Sequence, residues 1–214
     1  MALMDVLIDE LRDLYSAENQ LVKALPKLAK GAKNKELKSA FKDHLEETKG
    51  QVLRLREVFG HLGKKPTGKH CEGMEGVVKE GTEALEEDAE GATFDSGLIG
   101  AALRTEHYEI AGYTAAIAMA KALGKKDAVS LLQATLNEEV AAGKKILMLG
   151  KTILKEAVSE PEEDESKPKS AKEKTSEKKS KEDEKKAAPS VKKGAAPKPP
   201  APPADEESTE PLAL

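Results

Sequence analysis

The chain has no tryptophan, one cysteine, and only three phenylalanines and three tyrosines among 214 residues. A core built on stacked rings is excluded, so any core must be aliphatic. Cys71 is the lone cysteine, which rules out an internal disulfide and fits a reducing cytoplasm. No apolar run approaches the roughly 20 residues that a bilayer crossing needs, so no membrane partner is expected. The opening "MALMDVLIDELRD" turns acidic too early for a secretory leader. Also missing are a Gly-rich phosphate loop, a Ser-His-Asp order and zinc-type Cys/His spacing. The net charge of −4 gives no strong hint about partners.

Proline is nearly absent from the first 158 residues; nine of the eleven lie from Ser159 onward, among Lys, Glu, Ala and Ser. Such a segment cannot bury enough surface to offset its chain entropy, so residues 159–214 are predicted to be a disordered tail. A Lys-rich arm of this kind could hold nucleic acid by counterion release. Its acidic residues slightly outnumber its lysines and no aromatic interleaves for stacking, which favours a solvating or tethering role.

What is abundant before that point is Ala, Leu, Glu and Lys, the composition of an all-α domain over 1–158. Breaker residues divide it into four long helices. The first covers about 3–30 and stops at Gly31; the second runs from an N-capping Asn34 to Leu62. The third runs from Asp95 or Ser96 to Leu123 and stops at Gly124, and the last from Lys125 to Val158. A short helix over about 72–87 lies in the connection between the second and third. Two tight hairpins joined by one long crossover resemble the ferritin-like four-helix bundle, although lengths and loops by themselves specify only a generic bundle.

The apolar seams are interrupted by acids. In the first helix Met4, Leu7, Leu11, Leu14, Glu18, Leu21, Leu25 and Leu28 fall on one face, with Glu18 as the only polar member. The second reads Leu37, Phe41, His44, Glu47 or Thr48, Gln51, Leu55, Val58, Leu62, and the third Ile99, Ala102, Glu106, Glu109, Tyr113, Ala116, Ala120, Leu123. The last reads Leu132, Leu136, Glu139, Gly143, Ile146, Gly150, Ile153, with Glu138 at its edge. Folding each hairpin about its loop sets Glu18 level with Glu47 and Glu109 level with Glu139. Five carboxylates and one imidazole then converge on the middle of the bundle, where like charges at low dielectric repel strongly. Two divalent cations would relieve that repulsion. Carboxylate and imidazole suit iron or manganese, and bridging glutamates can hold two ions about 3.5–4 Å apart. The alternative is a non-enzymatic helical dimerisation module whose seam carboxylates are protonated or salt-bridged.

Taken in order, "DLYSAENQLVKALPKLAK", "HLEETKGQ", "CEGMEG", "TEHYEIAGY" and "LLQATLNEE" resemble the YciE/YciF family of bacterial stress proteins with ferritin-like folds. The resemblance covers nearly all of residues 3–157. It implies a homodimer with a di-metal centre, and carries ligand candidacy to Glu18, His44, Glu47, Glu106, Glu109 and the Glu138/Glu139 pair. It also implies a cytoplasmic role in stress defence through metal, oxygen or peroxide chemistry, with a di-metal oxidoreductase as the enzymatic form of that role. The broader ferritin-like pattern places Glu-x-x-His on two helices. Here the order is His44-x-x-Glu47, and no histidine follows Glu139, so the site is rich in oxygen ligands and both metals stay open. Tyr15 and Tyr113 lie one turn from candidate carboxylates and could hydrogen-bond one, with ordinary packing the favoured reading of each. Cys71 and Met74 are read as starting the short helix and docking it.

Overall fold

Leucines at alternating steps of four and three give the first helix one continuous apolar face, and that face is buried from Leu7 to Leu28. The computed structural model describes residues 1–159. Ser159, the first residue of the expected tail, still belongs to the last helix, and the rest of that tail lies outside the described residues. All regular structure among the described residues is helical: α1 (Leu3–Gly31), α2 (Lys35–His61), α3 (Glu72–Ala84), α4 (Gly91–Ala122) and α5 (Lys126–Ser159). No helix among them is long and apolar enough to cross a membrane.

Local chemistry sets the ends. The Asn34 side chain accepts the Glu36 and Leu37 backbone N–H groups and so caps α2. Gly124 sits at φ 66°, with its N–H on the Lys121 carbonyl and the Lys125 N–H on the Ala120 carbonyl. This left-handed cap ends α4 and turns the chain tightly into α5. Cys71 caps α3, its sulfur accepting the Met74 N–H at 3.4 Å, and both residues are fully buried.

The four long helices form the ferritin-like bundle. α1 packs on α2 and α4, α5 packs on the same two, and α3 lies in the α2-to-α4 crossover against α1 and α4. Two boundaries differ from the sequence expectation. α3 stops at Ala84, and α4 begins at Gly91, which puts Asp95 inside the helix. Asp95 is not its own helix's cap because its carboxylate accepts the backbone N–H groups of Lys33 (2.8 Å) and Asn34 (2.5 Å) in the α1–α2 turn.

The core consists of two apolar clusters separated along the bundle axis. One holds Leu21, Leu25, Phe41, Leu98, Ala102 and Ile146; the other holds Leu11, Leu14, Leu55, Tyr113 and Leu132. Each seam passes from one cluster to the other through polar residues: Glu18 on α1, His44 to Gln51 on α2, Glu106 and Glu109 on α4, Thr135 and Glu139 on α5. A polar layer therefore crosses the bundle at one level.

Candidate metal centre

Helical spacing explains which side chains enter this layer. A residue three or four positions from a buried seam leucine shares its face, so Glu18 follows Leu14 inward, and Glu106 and Glu109 both lie between Ala102 and Tyr113. Glu18, Glu109 and Glu139 are 0 % exposed, Glu106 3 % and His44 5 %. His44, Glu106 and Glu139 offer ligand atoms that all lie within 4.8 Å of one another. His44 Nε2 is 3.4 Å from Glu106 Oε1 and 3.9 Å from Glu139 Oε2.

Many of these atoms have no hydrogen-bond partner. Glu18 Oε2, His44 Nε2, Glu106 Oε2, both Glu109 oxygens and Glu139 Oε2 are buried and have no hydrogen-bond partner among the described residues. Buried polar groups are normally satisfied, so this concentration of bare donor atoms in one layer calls for something that binds them. Burial, then the Glu139 charge, push Glu18 up to about 8. Glu106 also rises to about 8, driven first by burial, with the nearby His44 pulling the other way and Glu139 raising it. Glu109 is held well above the usual carboxylate range by burial and by Glu18, Glu139 and Glu106. Burial alone would lower His44, but its hydrogen bond to Glu47 and the charges of Glu106, Glu139 and Glu18 outweigh that and raise it to about 9. Without a cation, the buried carboxyls are pushed toward their protonated, neutral forms and His44 toward its charged form.

The seven candidates are not equivalent. Five lie in the buried layer: Glu18, His44, Glu106, Glu109 and Glu139. Thr48, not Glu47, takes the buried seam position of α2. The Glu47 side chain is 47 % exposed, and its Oε2 lies 3.3 Å from His44 Nδ1. Glu138 stands beside the cluster, gripped by Arg54 through two 2.8 Å bonds and by Gln51 at 3.1 Å. Gln51 also donates to Glu139 Oε1. Arg54, Glu138 and Gln51 thus form a chain that fixes Glu139, in the manner of the outer partners that orient metal ligands.

One positioning group was missed in the sequence, and a second takes the less favoured of its two readings. Gln51 stands in the α2 seam, and a neutral amide at a core position opposite an acid was the available signal. Tyr113 does more than pack, since its hydroxyl donates to Glu18 Oε1 at 2.5 Å. Among the other histidines, His61 and His70 are exposed beside acidic side chains, and the exposed His107 ring lies against the Leu103 carbonyl of its own helix.

Residues 2–159 match the family described as a domain of unknown function, DUF892. Protein YciF of Escherichia coli strain K12 is 43% identical over 143 residues, covering 66% of this chain and 86% of that protein. The crystal structure of the E. coli stress protein YciF superposes with a TM-score of 0.70 at 40% identity, covering 72% of this chain and 98% of that one. YcfI from Rhodopseudomonas palustris gives a TM-score of 0.67 at 43% identity, covering 68% and 93%. The resemblance carried by the five sequence segments is therefore borne out, and the chain belongs to the DUF892 family that includes YciF-like proteins.

Proposed function

We propose that the polar layer binds two iron or manganese ions and that the protein acts in stress defence through them. The observation that carries this reading is the set of six buried, unbonded oxygen and nitrogen atoms on Glu18, His44, Glu106, Glu109 and Glu139. Those five residues would hold the ions; Tyr113 and Gln51 orient Glu18 and Glu139. Bound iron or manganese would supply redox chemistry with oxygen or peroxide, and the similarity to a protein described as a stress protein agrees with that role. A homodimer belongs to the same reading, because Leu147, Leu154 and Val158 are exposed at helical spacing along α5.

Metal analysis of protein purified from its native host, followed by anaerobic titration with both ions, tests the reading. About two ions per chain are expected, with lower occupancy in Glu106→Ala. Chelation should lower the melting temperature, since a ligand bound only by the native state adds about 2.7 kcal/mol at a hundredfold excess over Kd. A protein that stays metal-free throughout favours the second reading, a non-enzymatic dimerisation module. The raised values of Glu18 and Glu106, about 8, are what keep that form neutral.

A further inference from the structure

A cavity of about 100 Å³ opens between α2 and α5, with His44 and Glu106 in its wall. The larger cavity, about 240 Å³ between α1, α3 and α4, touches no residue of the polar layer. Two features distinguish the smaller one. Its lining includes His44 and Glu106, each of which has a buried ligand atom, Nε2 and Oε2, without a hydrogen-bond partner among the described residues. Its rim carries exposed charges: Asp43 and Glu47 on α2, and Lys145 on α5, which pairs with Asp43 at 2.9 Å. Half-buried Ala142 lines it and adds little bulk. The space accommodates several water molecules, and hence a cation shedding its hydration shell.

The geometry points to this cleft as the port through which a divalent cation reaches the buried centre, with Asp43 and Glu47 as capture carboxylates and Lys145 as the brake. The inference rests on the proposed metal-binding reading and adds the route to it. Glu47 Oε2 lies 3.3 Å from His44 Nδ1, while Nε2 faces Glu106 Oε1 at 3.4 Å, where an incoming ion would take the place of the ring proton. Glu47 therefore stands between solvent and the first buried ligand. Lys145 neutralises Asp43 and places a positive charge beside Glu47, which it also influences. A cation approaching the rim meets less attraction than the two acids alone would provide.

Stopped-flow uptake of Mn²⁺ by the full-length protein tests this. Ala142→Phe, which fills the cleft from the α5 side, should slow uptake about tenfold or more while reaching the wild-type final occupancy. Lys145→Gln should speed uptake severalfold at low ionic strength, and the gain should vanish at about 1 M salt, where screening acts within about 3 Å. Wild-type uptake rates in both variants would overturn the port while leaving the metal centre intact. A lower final occupancy at an unchanged rate in Ala142→Phe would overturn it as well, because the cleft would then shape the site and not the route. A wild-type protein that takes up no Mn²⁺ and no Fe²⁺ would remove both the centre and its port.

Discussion

The Tyr113 hydroxyl donates to Glu18 Oε1 at 2.5 Å, joining two fully buried groups on α4 and α1 that are 95 residues apart in the chain. Among the described residues Glu18 Oε2 has no hydrogen-bond partner, so the carboxyl is held there by the Tyr113 hydroxyl. Tyr113→Phe should cost the chelated protein about 1–3 kcal/mol, the usual penalty for orphaning a buried group. Adding Glu18→Leu should recover most of that loss, since replacing both partners by apolar groups removes the need for the bond and completes the leucine seam. Urea unfolding of the chelated proteins near pH 8 measures both. A double variant no more stable than Tyr113→Phe alone would refute this account of the pair.

The pH dependence of the metal-free protein has a definite sign. Glu18 and Glu106 rise from 4.5 to about 8 on folding, so the stability tied to their protonated forms is whole below about 4.5 and is lost as pH climbs through about 8. His44 rises from 6.5 to about 9, and its contribution falls away over that interval in the same direction. Glu47 runs the opposite way, lowered by its hydrogen bond to His44, but its exposure screens the effect. The chelated protein should melt highest near about pH 5 and lose stability up to about pH 9. Because bound cations displace these protons, the increment added by metal should grow over the same range. Thermal scans with and without chelator decide it: a chelated form whose melting temperature stays flat or climbs across this window would contradict the buried-proton picture.

The fold was legible because periodicity and breakers act locally. Each leucine step, the Asn34 cap and the Gly124 turn operate within a few residues of themselves, and the structure realises all three. The polar layer was legible for the same reason, since a glutamate in a leucine seam must face the core wherever its partners lie. What escaped depends on geometry between helices. Glu47 and Thr48 both fit the α2 seam, and the packing of α2 against its neighbours leaves Thr48 buried and Glu47 about half exposed. Glu138 and Glu139 are similarly adjacent, one helical step of about 100° apart, and Glu138 pairs with Arg54 of α2 at 2.8 Å while Glu139 is buried.

Asp95 shows the same limit and yields a prediction. A local cap and a long-range cap look identical in sequence, and here the carboxylate serves the α1–α2 turn, 61 and 62 residues away. Asp95→Ala should orphan two backbone N–H groups beside a residue only 1 % exposed and cost about 2–3 kcal/mol. Asp95→Asn keeps one acceptor oxygen and should cost less. Metal stoichiometry should be unchanged in both. Equal stability of Asp95→Ala and wild type in urea would mean that water satisfies the turn.

The remaining prediction concerns residues 160–214. The four seams lie within residues 1–159, and the segment beyond is rich in Pro, Lys, Glu and Ala. A chain ended after Ser159 should therefore keep its helicity, oligomeric state and metal content, by circular dichroism, light scattering and metal analysis. Loss of metal or of helicity on truncation would put the domain boundary elsewhere. The truncated chain also decides what the tail does. If its central lysines bind nucleic acid, the full-length protein should retard duplex DNA at about 50 mM salt and release it steeply as salt rises, because each neutralised phosphate frees a counterion. The truncated chain should not retard it at all. With no aromatic to stack on bases and acids outnumbering lysines, the expected result is that neither form binds, leaving a solvating tail.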